Sequence, residues 1–155
     1  VKMIYINSSK QELYFLRDDA IVFKSMISTS LFGMGCIEDT FKTPTGLHLI
    51  ASKIGSGLPA GTLFKHRKPT DQTIKQNPSD SHDYITSRIL RLSGLEEGIN
   101  KGGNVDSYRR YIYIHGTPHS KMLGSVSSHG CIRMSDNDVI ELFDLVNENS
   151  LVLID

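Results

Sequence analysis

The stretch Tyr111–Ser135, YIYIHGTPHSKMLGSVSSHGCIRMS, decides how the rest of the chain is read. It opens with a β-branched and aromatic run, Tyr111 to Ile114, which passes directly into His115-Gly116. A polar loop follows, then Ser128-His129-Gly130-Cys131 and Ile132-Arg133. A cysteine between a glycine and an apolar residue, with two histidines in reach, has the makings of an activated nucleophile. A thiol attacks as its thiolate, and a neighbouring imidazole is the usual means of generating that ion near neutral pH. His115 stands sixteen positions before Cys131, enough for one loop to fold the imidazole back onto the sulfur. The Gly116 carbonyl is placed to accept the second imidazole proton and fix the tautomer. Gly130 permits close backbone approach, and its amide or that of Cys131 can face an oxyanion.

Downstream of this stretch, Ser135 is a candidate N-cap with Asp138 three residues on. Val139, Leu142, Phe143 and Val146 then recur at helical spacing and would cover one side of a sheet. Leu151 to Ile154 (LVLI) reads as a closing strand.

Upstream, Met3–Asn7, Leu13–Leu16 and Ala20–Met26 are short β-branched and aromatic runs separated by turn compositions, which predicts a three-stranded antiparallel meander. Ser28 to Thr43 reads as a loop, with Cys36 a small filler in it. Thr43-Pro44-Thr45-Gly46 turns the chain into a strand over Leu47–Ile54, on which His48 is a structural histidine. Thr62–Lys65 is another short strand. His66 to Asp83 is polar and proline-punctuated, and reads as a long surface connection able to act as a flap over a cleft. Tyr84–Leu92 fits helix or strand, its β-branched content favouring strand. Gly94 to Arg110 is a glycine-rich loop. His66, His82 and His119 read as exposed loop residues, and Arg109, Arg110 and Lys121 as solvated charges.

The chain as a whole, 155 residues with 39% hydrophobic and 22% charged side chains, fits one domain spanning residues 1–155. Seventeen basic and seventeen acidic side chains cancel, so a nucleic-acid partner has no electrostatic support. No apolar run reaches the roughly twenty residues of a membrane span. No signal peptide is visible, but the chain starts at Val1, which leaves the compartment open. Two cysteines do not make a disulfide framework, and a Cys36–Cys131 bridge would occupy the proposed nucleophile.

Taken together, His115-Gly116-Thr117, Ser128-His129-Gly130-Cys131-Ile132-Arg133 and the Thr43-Pro44-Thr45-Gly46 turn resemble the signature of the L,D-transpeptidase (YkuD) family of bacterial cell-wall enzymes. The resemblance runs over nearly the whole chain. It implies a mainly β fold, a YkuD-like β-sandwich or barrel with a helix after the cysteine motif. It further implies cysteine-dependent exchange of peptide bonds in peptidoglycan stem peptides, without cofactor or metal, in the periplasm or cell envelope, with sensitivity to carbapenem β-lactams. By that analogy Cys131 attacks the carbonyl between the L-centre of diaminopimelate and a terminal D-alanine. A thioester forms and D-alanine leaves. A second stem's side-chain amine then gives a 3→3 cross-link.

Cys131 is the expected nucleophile, His115 the base and Gly116 its orienter, with Ser128, His129, Gly130 and Arg133 around substrate and oxyanion. Arg133 stands where some family members carry asparagine. Two readings weigh equally there: pairing with a stem carboxylate, or an ion pair inside the fold. Other readings stand beside this one. Water as acceptor would make the protein an L,D-carboxypeptidase. His115, His129 and Cys131 as zinc ligands lack any supporting H-E-x-x-H or paired C-x-x-C. A non-catalytic peptidoglycan-binding module has no use for a free cysteine paired with His-Gly.

Overall fold

Strand β7 (Ile85–Gly94) is the hub on which the sheet is built, because three other strands hydrogen-bond to it. A computed structural model describes residues 1–155 and places ten strands and one helix. The first three, β1 (Lys2–Asn7), β2 (Glu12–Arg17) and β3 (Ala20–Met26), form the expected antiparallel meander. Their alternation buries Ile4, Ile6, Leu13, Phe15 and Phe23, as a pleat with one face on a core requires. β4 (Gly46–Ile54) pairs with β7, and β5 (Thr62–Lys65) continues along β7 at Thr86 and Ile85. β8 (Tyr113–Thr117) lies antiparallel to β7, and β9 (Ile132–Ser135) runs parallel to β8. The last strand, β10 (Leu151–Ile154), inserts between β1 and β4, parallel to the former. The result is a mainly β architecture, one curled sheet with a single helix late in the chain.

That helix, α1 (Asp136–Leu145), begins where the cap chemistry places it. Ser135 Oγ accepts the Asp138 amide at 3.1 Å, and Asp136 and Asp138 put negative charge on the positive end of the helix. Val139, Leu142 and Phe143 are buried against the sheet together with Ile114, Ile132 and Met134. Each side chain so removed from water contributes roughly 1.5–3 kcal/mol, which commits β8 and β9 to one side of the helix.

Part of the 66–83 connection is structured. Lys68–Thr73 forms β6, an exposed strand paired with β5 through a turn in which His66 (φ 49°) and Arg67 (φ 64°) are both left-handed. Two such residues are the backbone requirement of the primed hairpin turns, which Asn-Gly usually supplies. The sequence offers neither that dipeptide nor apolar alternation, so the strand reads as a loop. Residues 74–84 do connect β6 to β7 without regular structure.

Candidate active site

The parallel β8–β9 pair positions the site. Its register sets Ile114 beside Ile132 and His115 beside Arg133. Side chains alternate, so Ile114 and Ile132 face α1 while His115, Arg133, Tyr113 and Cys131 share the opposite face. The fold therefore brings His115 and Cys131 to one surface of neighbouring strands. His115 Nδ1 lies 2.7 Å from the Gly116 carbonyl, which assigns that nitrogen the proton and leaves Nε2 as the basic atom. Nε2 makes no hydrogen bond within the protein. The Cys131 sulfur accepts the Tyr113 amide at 3.3 Å and donates to the Tyr111 carbonyl at 3.4 Å.

Gly116 has no room for a side chain. A Cβ there would collide with the Thr86 carbonyl oxygen and come within 2.8 Å of Asp136 Oδ1. Glycine is required here by that close approach, which brings the imidazole-binding carbonyl to its place. The 128–131 turn is knit as tightly. Ser128 Oγ accepts the Gly130 amide (3.2 Å) and donates to the Cys131 carbonyl (2.6 Å). Gly130 has φ +126°, a region L side chains avoid. The Thr43 hydroxyl, fully buried, accepts the Ser30 amide and donates to the Gly130 carbonyl, both at 3.0 Å. The Thr-Pro-Thr-Gly turn thus braces the cysteine loop from across the molecule.

A groove of about 350 Å³, walled by Phe64, Ile85, Tyr111 and Tyr113 with His66 and Arg67 at its edge, reaches the Cys131 side chain. Tyr111 also borders a second depression of about 270 Å³ that holds Glu38, Asp39, Arg109 and His129. The sulfur is therefore approachable.

The chain matches the family model YkuD, L,D-transpeptidase catalytic domain, over residues 2–154. It belongs to the YkuD family. Solved structures agree on the fold. The L,D-transpeptidase from Mycobacterium smegmatis aligns with 99% of this chain (TM-score 0.58, 16% identity, 58% of that chain). L,D-transpeptidase 3 from Mycobacterium tuberculosis, in complex with a faropenem-derived adduct, does likewise (0.60, 16%, 59% of that chain). So does a mutant of the Enterococcus faecium L,D-transpeptidase (0.60, 16%, 49% of that chain). The chain spans between 49% and 59% of the length of these three proteins. No curated protein matches the chain.

Electrostatically, burial in this YkuD domain favours the neutral forms of both the sulfur and the imidazole. Desolvation pushes the Cys131 thiol up to about 12, with Asp83 adding to the rise, against the Tyr113 amide, Arg133 and Arg110, which lower it. Burial likewise holds His115 below the ordinary imidazole range. A preformed thiolate–imidazolium pair, as the motif alone suggests, is not what the environment favours. Arg133 is 5% exposed, and its guanidinium lies 2.8 Å from Asp83 Oδ1 and 3.3 Å from the Ser127 hydroxyl, so the ion pair inside the fold is the one formed. His129 is exposed, with Nδ1 4.0 Å from Asp83 Oδ2 and its ring beside Phe32 and Phe41. Cys36 and Cys131 are both free, and no group of three or more potential metal ligands is present.

Two outlying expectations need correcting. His119 is buried rather than an exposed loop residue, because the 74–84 segment lies over it and the His82 carbonyl sits 2.8 Å from its Nε2. Arg110 is half-buried rather than solvated, donating to the carbonyls of Gly35, Cys36 and Lys42. Asp83 is the residue near the site that the sequence does not single out. It sits in a polar loop 50 positions before its partner Arg133, and its only signal is that a buried arginine needs an acid.

Proposed function

We propose that this domain is an L,D-transpeptidase in the full sense, acting on peptidoglycan stem peptides in the cell envelope through a Cys131 thioester. The carrying observation is the shared face of β8 and β9, with the sulfur opening to a groove and the imidazole oriented by the Gly116 carbonyl. Because burial favours the neutral form of both groups, His115 Nε2 acts as a general base that takes the thiol proton as the sulfur attacks. The sulfur adds to the carbonyl of the diaminopimelate L-centre. The tetrahedral oxyanion collapses, and the proton held on His115 passes to the departing D-alanine nitrogen. The thioester conserves the peptide bond's free energy, so a second stem's amine can take the acyl group without ATP. His115 then accepts the amine proton and returns it to the sulfur.

The amides around the cysteine supply candidate donors to the oxyanion. Gly130 N–H is engaged by Ser128 Oγ in the free protein, which leaves the Cys131 amide as the favoured donor. Ser128 and Thr43 act as braces that hold the turn, His129 lines the rim, and Arg133 contributes positive field from beneath. Carbapenems would acylate the same sulfur, and residues 1–155 would act as one catalytic unit.

The test is Cys131→Ala. The variant is expected to keep its circular-dichroism spectrum and melting temperature within a few degrees while losing all covalent adduct with a carbapenem in intact-mass spectrometry. Incubation of the wild type with a disaccharide tetrapeptide should yield a cross-linked dimer and free D-alanine. Trimmed tripeptide alone would make water the acceptor, and an adduct on the variant would put the nucleophile elsewhere.

A further inference from the structure

Next to the Cys131 groove lies a second depression of about 320 Å³, and the two share the walls Phe64 and Ile85. Asp83 stands in this second depression, its side chain 42% exposed. Oδ1 is committed to the buried guanidinium of Arg133 at 2.8 Å. Oδ2 has only the exposed His129 ring, 4.0 Å away. Lys65 and His82 line the same depression, and Arg133, His129, His115 and Cys131 are the titratable or charged groups on the elements facing Asp83. One oxygen is therefore fixed and the other remains available to a further donor. An ammonium suits that vacancy, since its three donors rotate freely and require no planar fork.

A carboxylate at this place works against ionisation of the sulfur while it favours a proton on His115. Its charge disfavours a thiolate at Cys131, against the opposing pull of Arg133 and Arg110. Such a group is unhelpful beside a nucleophile unless the substrate brings a cation to it. A stem attacked at the L-centre of diaminopimelate carries one, because the other end of the same side chain bears a free ammonium that takes no part in the acylation. We propose that Asp83 is the docking point for the unreacting side-chain ammonium of the donor stem, so that only an amine-bearing stem relieves the charge beside the sulfur. The inference rests on the acyl-transfer reading of Cys131. It makes Asp83 a specificity residue, and makes Arg133 the group that holds it in place.

Acylation is read as the first-turnover burst of D-alanine release, up to one equivalent per protein, so that the amine's second role as acceptor does not enter. The two donors are a tetrapeptide stem with its side-chain amine free and the same stem N-acetylated there. An ion pair of this exposure is worth up to about 1 kcal/mol, about fivefold in rate. Wild-type protein should therefore favour the free amine by about that factor, Asp83→Glu should keep the preference, and Asp83→Asn should bring the ratio to one. In the same Asp83→Asn protein, without substrate, alkylation of Cys131 by neutral iodoacetamide should become faster and its pH profile should move to lower pH. A merely structural loop residue would give neither the loss of selectivity nor the gain in thiol reactivity. A preference that survives in Asp83→Asn, or an alkylation profile that stays put, overturns the proposal. Release from neither donor by the wild type would instead overturn the acyl-transfer reading, and this one with it.

Discussion

Two histidines of this domain are buried to the same degree and differ in one hydrogen bond. His48 on β4 and His115 on β8 are each at most 1% exposed, each has Nδ1 against a nearby backbone carbonyl, and each is held below the usual imidazole range by burial. His48 places its other nitrogen 2.8 Å from the Ser107 hydroxyl, so both ends are spoken for. His115 leaves Nε2 without a partner, on the face that carries Cys131. Burial and a lowered pKa therefore do not mark a reactive histidine. What sets His115 apart is a nitrogen without a partner on the face that carries Cys131, and its proposed role rests on that.

Substitutions at the two positions should separate along that line. His115→Gln is expected to lower the acylation rate by about 10²–10⁴-fold, the usual worth of a positioned general base, while the fold persists. Stopped-flow acylation with a carbapenem measures it, and a loss below tenfold would break the contrast. Gly116→Ala acts on the carbonyl that sets the His115 tautomer. Its Cβ has nowhere to go between Thr86 and Asp136, so the strand must shift, at a cost of about 1–3 kcal/mol in urea unfolding with slower acylation per folded molecule. His48→Leu leaves the Ser107 hydroxyl and Gly46 carbonyl unpaired, which should cost about 1–3 kcal/mol of stability. Acylation per folded molecule should stay within twofold of wild type. A large rate effect there would show that the two rings are not separable.

A further effect is shared by both rings. Each resists protonation when folded, whereas the unfolded chain takes up a proton near the ordinary imidazole value of about 6.5. The unfolded state therefore binds more protons below that pH, and stability is lost as pH falls from there through the lowered folded values. Each ring contributes at most about 1.4 kcal/mol per pH unit in that window. Urea unfolding at pH 7 and pH 5 should show the loss, and His48→Leu should remove about half of its slope. An unchanged slope would mean that the buried rings do not carry it.

What could be read in the sequence follows from locality. The meander, β4, β5, β7 and β10 announce themselves through short β-branched runs, and α1 through Ser135 and the spacing of Val139, Leu142 and Phe143. The family signature rests on His115-Gly116 and Ser128–Arg133, which are contiguous motifs. β6 is hidden because an exposed edge strand reading Lys-Pro-Thr-Asp-Gln-Thr has no apolar face to display. β9 is hidden inside the cysteine motif, four residues long. Asp83 goes unmarked, and Arg110 and His119 are misjudged, for a common reason. Their surroundings come from segments dozens of positions away, and a polar loop looks the same in sequence whether it is solvated or folded over a buried ring. The resting protonation of Cys131 is also invisible in sequence, since it depends on how fully the folded chain desolvates the sulfur.

The placement of β10 between β1 and β4 has a consequence for biogenesis. Until residues 151–154 have emerged from the ribosome, β1 and β4 are two open edges, and the meander meets the rest of the sheet only through the short bridges of Ser28 to Arg133 and Ser30 to Ser128. A nascent chain stalled before that point would expose both edges to aggregation. This domain is thus expected to close its sheet only after Leu151 to Ile154 have been made, with that strand acting as the key between β1 and β4.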